Sequence, residues 1–190
     1  LKRSKFLKNL AGTTSILLLP TYMRSESIVV TDTDFITKVN SLKSLKETKD
    51  FLATLIPRES LLFISGEWSL GKVFSHCAQS IEYSMNGFPE MKSAVFQGTV
   101  GKLAFSIFSL REKMSHGLED PIPGAADLEN AIEYKLGLSR LLQSIDLFQK
   151  QESSQLKPHF AYGELDKEEF DLAHTLHIKN HFERIAKKIS

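Results

Sequence analysis

The stretch HTLHIKNHF, residues 174–182, places His174, His177 and His181, three of the chain's six histidines, within eight residues. Neutral imidazole ligates divalent metals and exchanges protons near neutral pH. On a helix turning about 100° per residue, Phe170, His174, His177, His181 and Ile185 fall in a band roughly 80° wide. His177 and His181 stand at the i,i+4 spacing that brings two side chains together one turn apart, and so two imidazoles near one ion. His174, one turn earlier, is either a third ligand or a donor that orients one. The same spacing also describes ordinary neutral histidines that satisfy their neighbours. Leu172 and Leu176 lie away from this band and Phe182 is about 100° off it, so the segment is not cleanly amphipathic.

The composition narrows what such a cluster can do. Cys77 is the only cysteine, which excludes an internal disulfide and any cysteine-rich metal site. Ligands must then come from His, Asp, Glu or water. With 24 basic and 23 acidic residues the net charge is +1, which gives no basic surface for nucleic acid and no acidic tail. No Walker motif, nucleophile elbow, H-E-x-x-H pair or Gly-rich loop after a strand occurs.

The elements that must position the histidines read as helices. Apolar residues make up 42% and charged residues 25% of 190 residues, enough for one folded domain with a real core. Phe35, Val39, Leu42, Leu45, Phe51, Leu52 and Leu55 predict a helix over 34–55, ended by Pro57. Leu70, Val73, Phe74, Cys77, Ala78, Ile81 and Met85 form one stripe on a helix over 68–86, stopped by NGFP. A third helix is expected over 98–113. SHGLEDPIPGAAD, 115–127, reads as a loop. Asp127 is a candidate cap for a helix over 128–150 carrying Leu128, Ile132, Leu136, Leu141, Ile145 and Phe148. Asp166 with Glu169 fits a capping box opening a last helix to about 188. Long strands and internal repeats are absent from this pattern, which predicts an all-α bundle.

The N-terminus has its own character. Lys2, Arg3, Lys5 and Lys8 precede the apolar ILLL of 16–19, in the order of an export signal, and RSKFLK resembles a degraded twin-arginine motif. Pro20 interrupts the apolar run, no A-x-A site follows, and the run is too short to span a membrane. Residues 1–26 are therefore set apart as an export signal or basic segment, with 27–190 as the domain. An exported or periplasmic location is slightly favoured over a cytoplasmic one.

His76 is the only histidine within the other well-patterned helices, but it lies roughly 140° from the centre of the apolar stripe, which by periodicity alone favours a solvated side chain. Two longer stretches bear on this. EWSLGKVFSHCAQSIEYSMNGFP, 67–89, and PHFAYGELDKEEFDLAHTLHIKNHFERI, 158–185, occur in the order of two signatures of the DUF1569 family, and VGKLAFSIFSLREKM, 100–114, has the same flavour. The chain over 34–188 thus resembles that family, of the DinB-like or YfiT-like superfamily of metalloenzymes.

The resemblance implies a DinB-like four-helix bundle, here with an additional N-terminal helix or segment. It implies a divalent metal held by one histidine of the second helix and an H-x-x-x-H pair of the last: His76, His177 and His181. It makes His174 a neighbour rather than a ligand. The chain departs from the pattern at Asn180, where the family usually has the first histidine of a pair.

Three imidazoles leave an open position on zinc, nickel, iron or manganese, of which zinc or nickel is expected. That position suits a metal-bound water or thiol, so the chemistry implied is that of a hydrolase or a small-thiol transferase acting on a small molecule. The competing reading is a non-catalytic binding or interaction bundle with a degraded site. His174, Asn180, Tyr83 and His159 are candidates to line the site. Cys77 and Trp68 are expected to pack. A homodimer through an apolar face is one assembly open to such a bundle.

Overall fold

The structure is a computed structural model and describes residues 33–187. The segment 1–26 and the boundary at residue 27 lie outside the described residues. The helices are α1 (Thr33–Ser41), α2 (Leu45–Ala53), α3 (Leu70–Asn86), α4 (Ala94–Phe96), α5 (Lys102–Arg111), α6 (Tyr134–Lys150) and α7 (Lys167–Phe182). A π-helical turn, Gln97–Gly101, joins α4 to α5. The architecture is an all-α bundle of the DinB-like kind with extra N-terminal helices, plus one short ribbon.

The helix expected over 34–55 is two helices. Ser44 accepts a hydrogen bond from the Glu47 amide while the Glu47 carboxylate accepts one from the Lys43 amide. This local capping starts a new helix inside a run that is otherwise periodic. All seven apolar positions predicted there are nevertheless buried. The last helix is shorter than expected. It stops at Phe182, and β2 (Ile185–Lys187) pairs antiparallel with β1 (Leu62–Ile64), register Ile64↔Ile185. Its start is as read: Asp166 and Glu169 exchange both capping-box bonds. The helix expected over 128–150 begins at Tyr134 and is not capped by Asp127. With the phase set by Tyr134, Leu138, Leu141, Ile145 and Phe148 in the core, Leu136 points outward at 65% exposure.

The closest packing is between α3 and α6. Two glycines permit it. A Cβ on Gly137 would stand 2.3 Å from the Gly71 carbonyl oxygen, and one on Gly71 would stand 2.1 Å from that of Ile132. Arg140 of α6 grips Glu82 of α3 with two hydrogen bonds of 2.9 and 2.6 Å. Tyr134 donates to the Leu55 carbonyl at 2.7 Å, tying the N-terminal pair of helices to α6.

Helix α7 is buried at every residue from Ala173 to Phe182. A helix enclosed on all sides has no polar stripe, which explains its missing amphipathicity. Its buried Lys179 donates to the carbonyls of Leu42 and Glu112, both at 3.2 Å, and so caps the ends of α1 and α5.

Candidate metal centre

Helix α3 is also buried all round from Val73 to Ile81, so the polar face bearing His76, Gln79 and Ser80 is enclosed rather than solvated. The segment between α5 and α6 folds back over it. Gln79 donates to the Ala126 carbonyl at 3.2 Å, and Asn130 bonds both the Ser69 amide and the Glu67 carbonyl. His76, which lies off the apolar stripe, thereby faces α7.

Three histidines converge there. One ligand atom from each of His76, His177 and His181 lies within 4.8 Å of the others. The ring centroids of His76 are 5.1 Å from those of His177 and 4.8 Å from those of His181, and the His177–His181 pair is also at 4.8 Å. The two Nε2 atoms of α7 face each other at 3.0 Å. Nitrogens sharing one tetrahedral zinc stand about 3.3 Å apart, given zinc–nitrogen bonds of about 2.0–2.1 Å. The donor set therefore fits a divalent ion, with an open position left by three ligands.

The electrostatics favour metal over protons. Burial holds His76 down at about 4, helped by the neighbouring His116 and Lys72. Burial, then the surrounding histidines, hold His177 well below the usual range. His181 is depressed by burial and by His76, His116 and Arg184. All three rings are neutral at pH 7, the state that ligates.

Trp68 does more than anchor the bundle. Its ring lies nearly parallel to His181, at 8° and 6.3 Å, and meets His76 edge-on at 5.0 Å. Lys72 Nζ sits 4.7 Å from the centroid of the same indole. Trp68 thus fixes the orientation of two of the three rings. The sequence signal was its proximity to His76, eight residues on.

A cavity of about 250 Å³ opens beside the cluster, with His76 and His177 in one wall and Met114, Ile122, Phe160 and Tyr162 among its apolar lining. His174 and His159 also line it. His174 packs between Phe148 and Phe170 and bonds Ser84 Oγ at 3.1 Å, so it supports the site rather than joining the ligand cluster. His159 Nδ1 accepts from the Ala161 and Tyr162 amides at 3.1 and 3.2 Å, which leaves the proton on Nε2.

Two candidates sit elsewhere. Tyr83 packs against Phe88 with the two rings tilted, and is not among the residues lining this cavity. Asn180 lines a separate recess with Lys179 and Glu183, and its buried Nδ2 has no hydrogen-bond partner among the described residues. Its side chain is set by α7's phase, three residues from His177 but turned toward α5's end. Cys77 is fully buried, which pushes its thiol far up and leaves it inert.

His116 was not visible in the sequence pattern. It lies in the loop after α5, where no periodicity marks it, yet its ring centroid is 5.0 Å from that of His177 and 5.2 Å from that of His181.

No curated protein and no solved structure gives a significant match to the chain. A family described as "Protein of unknown function (DUF1569)" matches residues 34–188, most of the sequence. The chain therefore belongs to the DUF1569 family, classed within the DinB-like or YfiT-like metalloenzyme superfamily.

Proposed function

We propose that this protein is a divalent-metal-dependent enzyme acting on a small, largely apolar molecule, by hydrolysis or by transfer of a small thiol. The observation that carries the reading is the convergence of His76, His177 and His181, from two helices, with His76 and His177 lining a cavity of small-molecule size. An all-imidazole set suits zinc or nickel, with iron and manganese next, and is a poor match for the oxygen-seeking calcium and magnesium. A bound ion would supply an open position at which water or a thiol is deprotonated near neutral pH.

The chain's own residues divide the remaining work. Trp68 holds the rings of His76 and His181 in place. Met114, Ile122 and Phe160 exclude water and receive the apolar body of the substrate. The carboxylates nearest the ligands in sequence are engaged elsewhere: Asp171 accepts from the Leu45 amide and Glu183 pairs with Lys113. Asp120 is the carboxylate that lines the cavity, and it is the base a hydrolase would need. Loss of activity in Asp120→Asn would favour hydrolysis, and retention would favour thiol transfer.

Untagged protein incubated with zinc is expected to hold about one equivalent and to gain about 4 kcal/mol of stability at a thousandfold excess over Kd. His177→Ala and His181→Ala should abolish both effects. Less than about 0.1 equivalent in the unaltered protein sinks the proposal. The basic and apolar residues before Glu26 support an exported location. The exposed Val100, Leu103 and Leu110 around α5 support pairing of two copies.

A further inference from the structure

We infer that His116 is a fourth, displaceable ligand of the metal centre, carried on the loop between α5 and α6. The inference rests on the three-histidine reading and adds a residue to it. Four imidazoles around a tetrahedral ion place their ring centroids about 5 Å apart, given zinc–nitrogen bonds of about 2.0–2.1 Å. The three pairs among His76, His177 and His181 lie at 4.8–5.1 Å. His116 extends that spacing, at 5.0 Å from His177 and 5.2 Å from His181.

Its tautomer is also suitable. His116 Nδ1 lies 2.7 Å from the Gly117 carbonyl oxygen, which can only accept, so Nδ1 carries the proton and Nε2 keeps a free lone pair. A ring nitrogen bonded to a carbonyl while the other ligates is the usual arrangement of metal-bound histidine. His116 shares the cavity wall with His76 and His177, so a ring there blocks the approach to the ion from the cavity.

The anchors of the loop flank this one residue. Met114 on one side and Ile122 on the other are buried, and Glu119 is pinned to Arg184 at 2.9 Å and to the Glu67 amide at 2.5 Å. Ser115, His116 and Gly117 between these anchors are exposed. His116 stands outside the tight triad of donor atoms, so ligation asks the loop to carry its ring slightly inward. The opposite movement would free the open position for substrate.

Cobalt-loaded protein tests this without any activity assay. Cobalt stoichiometry and the visible spectrum would be measured for the unaltered chain and for His116→Ala, and each titrated with azide, which binds an open position. Both proteins should hold one equivalent of cobalt, with different ligand-field spectra. Azide should bind the variant at least about tenfold more tightly. Identical spectra and equal azide affinities would overturn the role of His116 while leaving the triad intact. Absence of cobalt from the unaltered chain would overturn the triad, and His116 with it. His116→Gln should behave as His116→Ala, which separates ligation from simple loss of bulk.

Discussion

The contact between Gly71 and Gly137 gives a test in which two known effects oppose each other. Alanine at an interior helical position is favoured over glycine by about 1 kcal/mol. If propensity were all that mattered, Gly137→Ala would stabilise the protein. The new Cβ, however, would lie 2.3 Å from the Gly71 carbonyl oxygen and 2.9 Å from the Gly71 Cα. These are backbone atoms, so no rotamer change relieves the overlap. Reaching an ordinary contact of at least 3.4 Å requires α3 and α6 to part by about 1 Å, and such overpacking costs about 1–3 kcal/mol. The clash therefore wins, and the expected net effect is a loss of up to about 2 kcal/mol.

The same displacement reaches the metal centre. His76 follows Gly71 by five residues on α3, whereas His177 and His181 sit on α7. Ligand distances must hold to within about 0.2 Å, so a shift of α3 should cost zinc affinity tenfold or more. Urea unfolding of the metal-free protein measures the first effect, and competition with a chromophoric chelator measures the second. Gly98→Ala is the matched control, because a Cβ there meets nothing within 4 Å. It should leave zinc affinity alone and stability unchanged or slightly raised. A Gly137→Ala protein as stable as the parent and equally avid for zinc would refute the claim that this close approach sets the position of His76.

Two further outcomes are expected. Burial holds His159 and His174 at about 3 and His76 at about 4, all below the value of about 6.5 for an unfolded chain. The unfolded state thus binds the extra protons between those limits, so stability is fully present above pH 6.5 and falls as the solution is acidified toward pH 4. Each such histidine contributes a slope of about 1.4 kcal/mol per pH unit, and His174→Phe should remove one such increment from the pH dependence of the urea midpoint. Lys179→Met leaves the carbonyls of Leu42 and Glu112 without their shared donor and should cost about 1–3 kcal/mol in the same urea experiment, with no change in zinc stoichiometry.

The sequence disclosed the elements whose signals are local. Asp166 and Glu169 mark the start of α7 because a capping box is written in four consecutive residues. Phe74, Cys77 and Ile81 mark the core face of α3 because one apolar stripe packs on α6. The i,i+4 histidine pair was legible for the same reason. What remained hidden depends on contacts distant in sequence. The apolar period of α3 is blind to the loop that encloses its polar face, so periodicity alone places His76 in solvent. Ser44 starts a helix within a continuous apolar period, which conceals the break. Ile185 keeps the helical spacing of α7 but is drawn into a ribbon by Ile64, a partner more than a hundred residues away. His116 has no pattern at all, because a loop residue is positioned by its anchors and not by a repeat.

The ribbon of β1 and β2 has a consequence for how the protein is made. It joins the segment entering α3 to the segment leaving α7, and 100 residues of chain lie between His76 and His177. During translation His76 is exposed long before either member of the pair exists. A nascent chain therefore offers an ion only scattered single imidazoles, which hold it weakly. Ribbon and centre close together, late, through contacts of high sequence separation, which are slow to form. An ion held by this centre would be acquired by the finished fold, and the ion available at that moment, rather than the one present during synthesis, would decide what occupies the site.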